Sequence, residues 1–247
     1  MTFLEHLNEL RKRIFYSFIA IIIGVIPAWM FHKEIFDILA IPVTQFLPEG
    51  EKLVFTGLPD PFMLYIKVSF LASLFATSPF IFLQVWMFIA PGLYRKERKY
   101  VVPFVLFTTT FFLLGALFGY FVVFPWACRF FINLGADFRP MITVNQYFSL
   151  ALRVLVGIAL VFELPTLVFF LSRLGIVTAR WMISKFKYAV LVIFIVAAVI
   201  TPTPDVVTQS IIAIPMLALY GLSILIAFFS EKRRKQQEKK SEEELAG

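Results

Sequence analysis

From Val68 to Tyr94 the chain carries no charged side chain, and after a short charged interruption it carries none again from Val101 to Cys128. These windows of 27 and 28 residues restrict the fold more than any other feature of the sequence. A helix needs about 20 predominantly apolar residues to cross the ~30 Å hydrocarbon core of a bilayer. Within that core only a helix or a closed barrel satisfies its own backbone. The same ruler finds Ile14 to Phe31, then Arg153 to Arg173 interrupted only by Glu163, then Tyr188 to Ser230 divided by Asp205. Six transmembrane helices are expected, in an all-α integral membrane protein. The composition agrees: 60% of the 247 residues are hydrophobic and 31 are Phe, too many for a polar surface to cover.

Lysine and arginine set the orientation. With six spans, the N-terminus, the second and fourth connections and the tail share one side. That side holds Arg11, Lys12 and Arg13; Arg95, Lys96, Arg98 and Lys99; Arg173, Arg180, Lys185 and Lys187; and six bases beyond Ser230, leaving six of the 23 for the other side. Positive charge marks the cytoplasmic face, so both termini are expected there, in a cytoplasmic (inner) membrane. The net charge of +7 then follows from topology and anionic lipid, and requires no nucleic acid. Met1 to Arg13 leads into a full-length span rather than a short apolar segment and a cleavage site, so no removable leader is expected. Cys128 is the one cysteine and is assigned to packing near a helix end. One six-span domain over 1–247 is expected, flanked by an N-terminal segment, 1–13, and a charged tail, 230–247.

Several local elements can be placed. Thr2 and Glu5 have capping-box spacing, and Phe3, Leu4, Leu7, Leu10 and Ile14 repeat at helical intervals, which predicts a short amphipathic helix that turns into the first span. In the first outer loop, His32 to Pro61, "KEIFDILAIP" predicts an interfacial helix ended at Pro42. The second outer loop, Arg129 to Gln146, closes with Thr143 and Gln146 at capping spacing. Kinks are expected at Pro79, Pro165 and Pro215. The fifth span is short: Tyr188 to Ile200 is 13 residues, about 20 Å, unless it extends back to Trp181 by burying the stems of Lys185 and Lys187. The mixed-charge tail is expected to be a solvated or frayed helix end.

No catalytic set stands out. His6 and His32 fall on opposite faces and cannot share a metal, and His6 is accounted for as a surface helix residue. HExxH, GxSxG and a glycine-rich phosphate loop are all missing from the sequence. Glu163 differs, because nine uncharged residues flank it on each side. A carboxylate at that depth faces protein, water or a partner, or is protonated. It is therefore either a neutral polar contact between helices or part of a site lining a polar cavity. Glu97 sits among four bases in "RKERK", and Glu9 lies one helical turn before Arg13. Taken singly, each is an exposed charge neutralised by its neighbours. Taken together, they are two boundary carboxylates in basic patches, able to receive the two guanidinium groups of a doubly basic ligand in paired hydrogen bonds.

"HLNELRKR" at 6–13, "FIAPGLYRKERK" at 88–99, "YFVVFP" at 120–125, "FELP" at 162–165 and "TPTPDVVTQ" at 201–209 occur in that order. With these motifs the chain resembles the TatC family, the six-span receptor subunit of the twin-arginine protein translocase, over nearly its whole length. The resemblance implies a concave, membrane-facing bundle that binds twin-arginine signal peptides. It implies assembly with small single-span partners of the TatA and TatB type in an oligomeric complex, which exports folded proteins using the proton-motive force. On the matching positions, Glu9 and Glu97 form the arginine-binding site, with Leu10, Arg11, Arg13, Phe88, Pro91, Leu93, Tyr94 and Arg95 around them. Glu163 matches an acid inside the concave face. Gln209, with Thr208 and Asp205, matches the partner-docking region, and Pro42 matches an outer-loop proline on which the family depends. No enzyme activity, metal or cofactor is implied.

The competing classes are a small-solute secondary transporter and an intramembrane enzyme. The first usually shows an internal repeat, and none is evident. The second needs a nucleophile and base that the sequence does not supply. Neither accounts for two boundary carboxylates within basic patches.

Overall fold

The computed structural model describes residues 3–47, 52–89, 101–135, 137–138, 141–173, 175–201 and 205–246. Its described elements are helical apart from one isolated bridge: α1 (Phe3–Met30), α2 (His32–Thr44), α3 (Asp60–Ile89), α4 (Val101–Phe118), a π-helical turn (Gly119–Val123), α5 (Phe124–Leu134), α6 (Val144–Val161), α7 (Leu164–Arg173), α8 (Ala179–Ser184), α9 (Phe186–Ile200) and α10 (Val206–Ala246). Five apolar helical stretches are long enough to cross a membrane: α1, α3, α4 through α5, α6 through α7, and the first 27 residues of α10. The expected fifth span is the shorter α9, with 15 residues. At ~1.5 Å per residue that is about 22 Å, below the hydrocarbon thickness.

The extension of that span back to Trp181 does not form as one helix. Trp181 belongs to α8, which is capped by the Thr178 hydroxyl accepting from the Trp181 N–H at 3.2 Å. Ser184 Oγ donates back to the Trp181 carbonyl at 2.8 Å, and the chain leaves helical geometry at Lys185 (φ −99°, ψ 9°) before α9 begins. A serine hydroxyl that competes for helix carbonyls offers the backbone this exit.

Three other expectations need correction. The amphipathic N-terminal segment is not a separate helix: α1 runs unbroken through Arg11–Arg13 into the span. The second outer loop begins later than Arg129, because α5 continues to Leu134. Helix α2 does not end at Pro42 but passes through it to Thr44. Proline removes the N–H that would bond the carbonyl four residues back, here that of Ile38. The phenol of Tyr120, at the π-helical turn, donates to that carbonyl at 2.5 Å, and Tyr147 of α6 donates to the neighbouring Leu39 carbonyl, also at 2.5 Å. The proline thus opens an acceptor on α2 that a span fills. The Thr143 cap is as expected, its hydroxyl accepting from the Gln146 N–H at 3.3 Å. The tail is helical, as the continuation of α10.

Close approach of backbones packs the spans. Ser73 Oγ donates to the Ile21 carbonyl at 2.6 Å, and a Cβ on Gly24 would overlap that hydroxyl. At the crossing of α4 and α6, a Cβ on Gly115 would sit 2.8 Å from the Ala159 Cα. In lipid, where apolar burial supplies little association energy, such small-residue contacts let dispersion and hydrogen bonds hold helices together. The main core, with Phe124, Ile158, Ala197, Ile212 and Met216, joins α5, α6, α9 and α10. At the α2 end a short parallel bridge ties the two loops, with the Val54 N–H donating to Ile142 O (3.0 Å) and the Val144 N–H to Val54 O (2.8 Å).

Candidate functional site

At the end of the bundle opposite α2, the first turns of α1 meet the last turns of α3. Continuity of α1 fixes the side-chain directions there, because Glu9 and Arg13 are four residues apart on one face. Arg13 Nε donates to Glu9 Oε1 at 2.7 Å, and its Nη2 lies 2.5 Å from the same oxygen. Glu9 Oε2 has no partner among the described residues. Arg13 is itself held from α3: its Nη1 donates to Gln84 Oε1 at 3.1 Å and lies 3.5 Å from Met87 Sδ. Gln84 is buried, and both Arg13 and Glu9 are about one-fifth exposed. The His6 and Phe88 rings stack with centroids 4.4 Å apart. Leu10 is half-buried and Arg11 exposed.

The structure therefore brings Glu9, Arg13 and Phe88 to one corner. Glu97, Pro91, Leu93, Tyr94 and Arg95 lie outside the described residues. Sequence reasoning did not single out Gln84. Its signal was present, since it is the one amide in the charge-free window from Val68 to Tyr94, where an unpaired amide would be costly.

Glu163 lies at a break between α6 and α7. The Phe162 N–H bonds Ile158 O at 3.0 Å, the Glu163 N–H tightens to Leu160 O at 3.1 Å, and Pro165 supplies no N–H to Val161 O. This opening lets a half-buried carboxylate stand at mid-span. Its Oε1 is enclosed with no hydrogen-bond partner among the described residues, and so is Thr166 Oγ1 three residues on. The Thr166 hydroxyl, on the next turn, is within electrostatic reach of that carboxylate.

Asp205, Thr208 and Gln209 converge at the start of α10, but largely on their own chain. Asp205 caps the helix: its Oδ1 accepts from the Thr208 N–H at 2.7 Å, and its Oδ2 accepts from the Thr208 hydroxyl. Thr208 is buried, and Gln209 Nε2 donates to Phe194 O of α9 at 2.6 Å. Pro42 is buried at the other loop cluster, where it opens the Ile38 carbonyl to Tyr120. Tyr120 and Tyr147 were not foreseen as partners of α2, because a phenol in an apolar span carries no mark of which carbonyl it will reach.

The chain is thus a helical membrane protein with five long apolar helices and one shorter one, a half-buried mid-span acid and a charged corner between α1 and α3. The comparisons define the class. Residues 5–215 match the family model described as Sec-independent protein translocase protein (TatC). A Sec-independent protein translocase protein TatC of Koribacter versatilis is 47% identical over 231 residues, covering 92% of this chain and 85% of that one. Another, from Desulforapulum autotrophicum, is 44% identical and covers 90% of this chain and 83% of its own. A crystal structure of the twin-arginine translocase receptor TatC superposes with a TM-score of 0.81 at 37% identity, covering 91% of this chain and 99% of that one. The chain belongs to the TatC family. Membership makes it a Sec-independent protein translocase component rather than an enzyme.

Proposed function

We propose that this chain binds twin-arginine signal peptides at its cytoplasmic face through Glu9 and Glu97. On this reading it is one six-span domain of the cytoplasmic membrane with both termini inside. It assembles with small single-span subunits of the TatA and TatB type and passes folded proteins outward using the proton-motive force.

The observation that carries the reading is the arrangement of Glu9 and Arg13. Arg13 directs two nitrogens at one carboxylate oxygen and is braced from α3 by Gln84, so the Glu9 carboxylate is oriented, with its other oxygen unengaged among the described residues. A charge-assisted bond to a fixed carboxylate gains more than one to a mobile surface acid, because less rotamer freedom is lost. On this reading Leu10, Arg11 and Phe88 belong to the peptide site with Glu9, and Pro91, Leu93, Tyr94 and Arg95 belong to the same motif as Glu97. Glu163 lines the concave membrane face on this reading, and Gln209, with Thr208 and Asp205, marks where a single-span partner docks.

The test is crosslinking of a twin-arginine signal peptide, compared with its twin-lysine form, to wild type, Glu9→Ala and Glu97→Ala at equal expression. Selective capture of the arginine peptide by wild type, lost in both variants, is expected. Equal capture of both peptides, or wild-type capture by both variants, would place recognition elsewhere.

A further inference from the structure

Two cations stand in the α2 half of the bundle where the membrane surrounds the helices. Lys67 is seven residues into α3 and Arg153 nine residues into α6, so their Cα atoms lie about 10 and 14 Å below the helix starts at ~1.5 Å per residue. A 30-residue span is about 45 Å long and overhangs a ~30 Å core by roughly 7 Å at each end. Both side chains thus leave the backbone inside hydrocarbon and reach back toward the headgroup level.

Both line one cleft of about 1030 Å³ between α2, α3, α5 and α6. Neither forms a salt bridge among the described residues, although the Lys67 charge acts on Asp60 at longer range. Lys67 Nζ donates to the neutral Asn145 Oδ1 at 2.7 Å, and Arg153 has no hydrogen-bond or ion-pair partner there. The acid of the cleft, Asp60, is engaged in its own turn, accepting from the Gly57 N–H at 2.7 Å and the Thr56 N–H at 3.2 Å.

The surroundings say what kind of anion fits. Gln146, Arg153 and Leu160 recur every seven residues along α6 and are all exposed. Leu160 is 59% exposed in an apolar span, so this stripe faces lipid. Phe131, Ile132 and Leu150 form an apolar wall of the cleft. A free ion would have to leave water to reach a guanidinium on that stripe, whereas a lipid phosphate is already there.

We propose that the Lys67–Arg153 cleft holds the phosphate of an anionic membrane phospholipid, with an acyl chain against Phe131, Ile132 and Leu150. Arg153 presents its planar fork to the phosphate oxygens and Lys67 a point charge. Asn145 sets the ammonium in place. Among the described residues of the cleft, two cations stand against one engaged acid, which favours a headgroup of net negative charge over a zwitterionic one. The proposal is independent of the peptide site at the other end of the bundle.

The test uses the full-length protein in nanodiscs of phosphatidylcholine doped with phosphatidylglycerol, followed by native mass spectrometry of the lipid retained. Wild type should retain one phosphatidylglycerol per chain, and the Lys67→Gln/Arg153→Gln protein at least about tenfold less, from the loss of two charges at a membrane surface. The Lys67→Arg/Arg153→Lys protein should retain it, which separates charge from fold, and Arg153→Gln alone should fold in any case because the position is exposed. Inorganic phosphate at millimolar concentration should not displace the lipid. Equal retention by wild type and the Gln variants would overturn the proposal, and so would displacement by inorganic phosphate, which would make the cleft a site for the free ion.

Discussion

Replacing Gln84 by leucine tests whether Glu9 works because it is held. The substitution keeps the apolar volume of α3 and removes the acceptor that lies 3.1 Å from Arg13 Nη1. A hydrogen bond to a charged group contributes about 1.5–3 kcal/mol. Arg13 is 21% exposed, so water recovers part of that when Gln84 is gone, and a loss of about 1–2 kcal/mol is expected. Expressed wholly in the orientation of Glu9, this weakens twin-arginine peptide binding roughly 5- to 30-fold, since about 1.4 kcal/mol corresponds to a factor of ten. The assay is a titration of labelled signal peptide against the purified protein in detergent or nanodiscs. Insertion and monodispersity should be unchanged, because an apolar side chain in an apolar span adds no buried polar group. A merely structural role for Gln84 would lower affinity in any background. The positioning role makes a sharper demand: in a Glu9→Ala protein, adding Gln84→Leu should change affinity no further. Wild-type affinity for Gln84→Leu, or full additivity with Glu9→Ala, would refute the reasoning.

The other expectations concern topology, the loop latch and the mid-span acid. Cysteines placed between Arg95 and Lys99 or in the tail should react with reagents confined to the cytoplasm, and cysteines near Pro48 with external ones; the reverse pattern would invert the assignment. Tyr120→Phe should cost about 1 kcal/mol by stranding the Ile38 carbonyl. In a Pro42→Ala background, where a backbone N–H can fill that acceptor, the cost should fall. Thermal unfolding of the four proteins of the cycle gives the coupling, and strict additivity would show that proline and phenol are unrelated. Glu163→Gln should insert normally with reduced transport of a folded reporter, and Glu163→Leu should abolish transport while retaining peptide crosslinking. Full transport by the leucine variant would make the acid incidental, and parallel loss of crosslinking would tie it to recognition or to the fold.

How far the sequence spoke for the structure depended on what kind of physics each feature obeyed. The spans were legible because lipid penalises charge over a whole window, so length and composition carry the information without any knowledge of neighbours. Helix interruptions were not. Pro27, Pro79 and Pro215 lie within continuous helices, whereas Pro165 accompanies the break at Phe162–Glu163 and Pro125 follows a π-helical turn. A missing N–H is common to all five; what differs is whether neighbouring elements accommodate the freed carbonyl in place, which is tertiary information. Pro42 makes the point in reverse. Local chemistry placed a helix end there, and the helix continues because Tyr120, 82 residues away, takes the carbonyl that the proline abandons.

The same division runs through the functional corner. Glu9 stood out in the sequence only beside Glu97, because one exposed acid among bases is ordinary whereas two at the same membrane boundary are not. Gln84 did not, because an amide within an apolar window can answer to any donor the fold brings near. Its partner proved to be the guanidinium that holds Glu9, so on the proposed function that bond aims the acid. A residue that positions an acid through one hydrogen bond is not replaced in that role by a better packer, whatever the gain in helix contact. For that reason the corner should resist stabilising substitutions: variants of Gln84 that pack more tightly are expected to bind peptide less well.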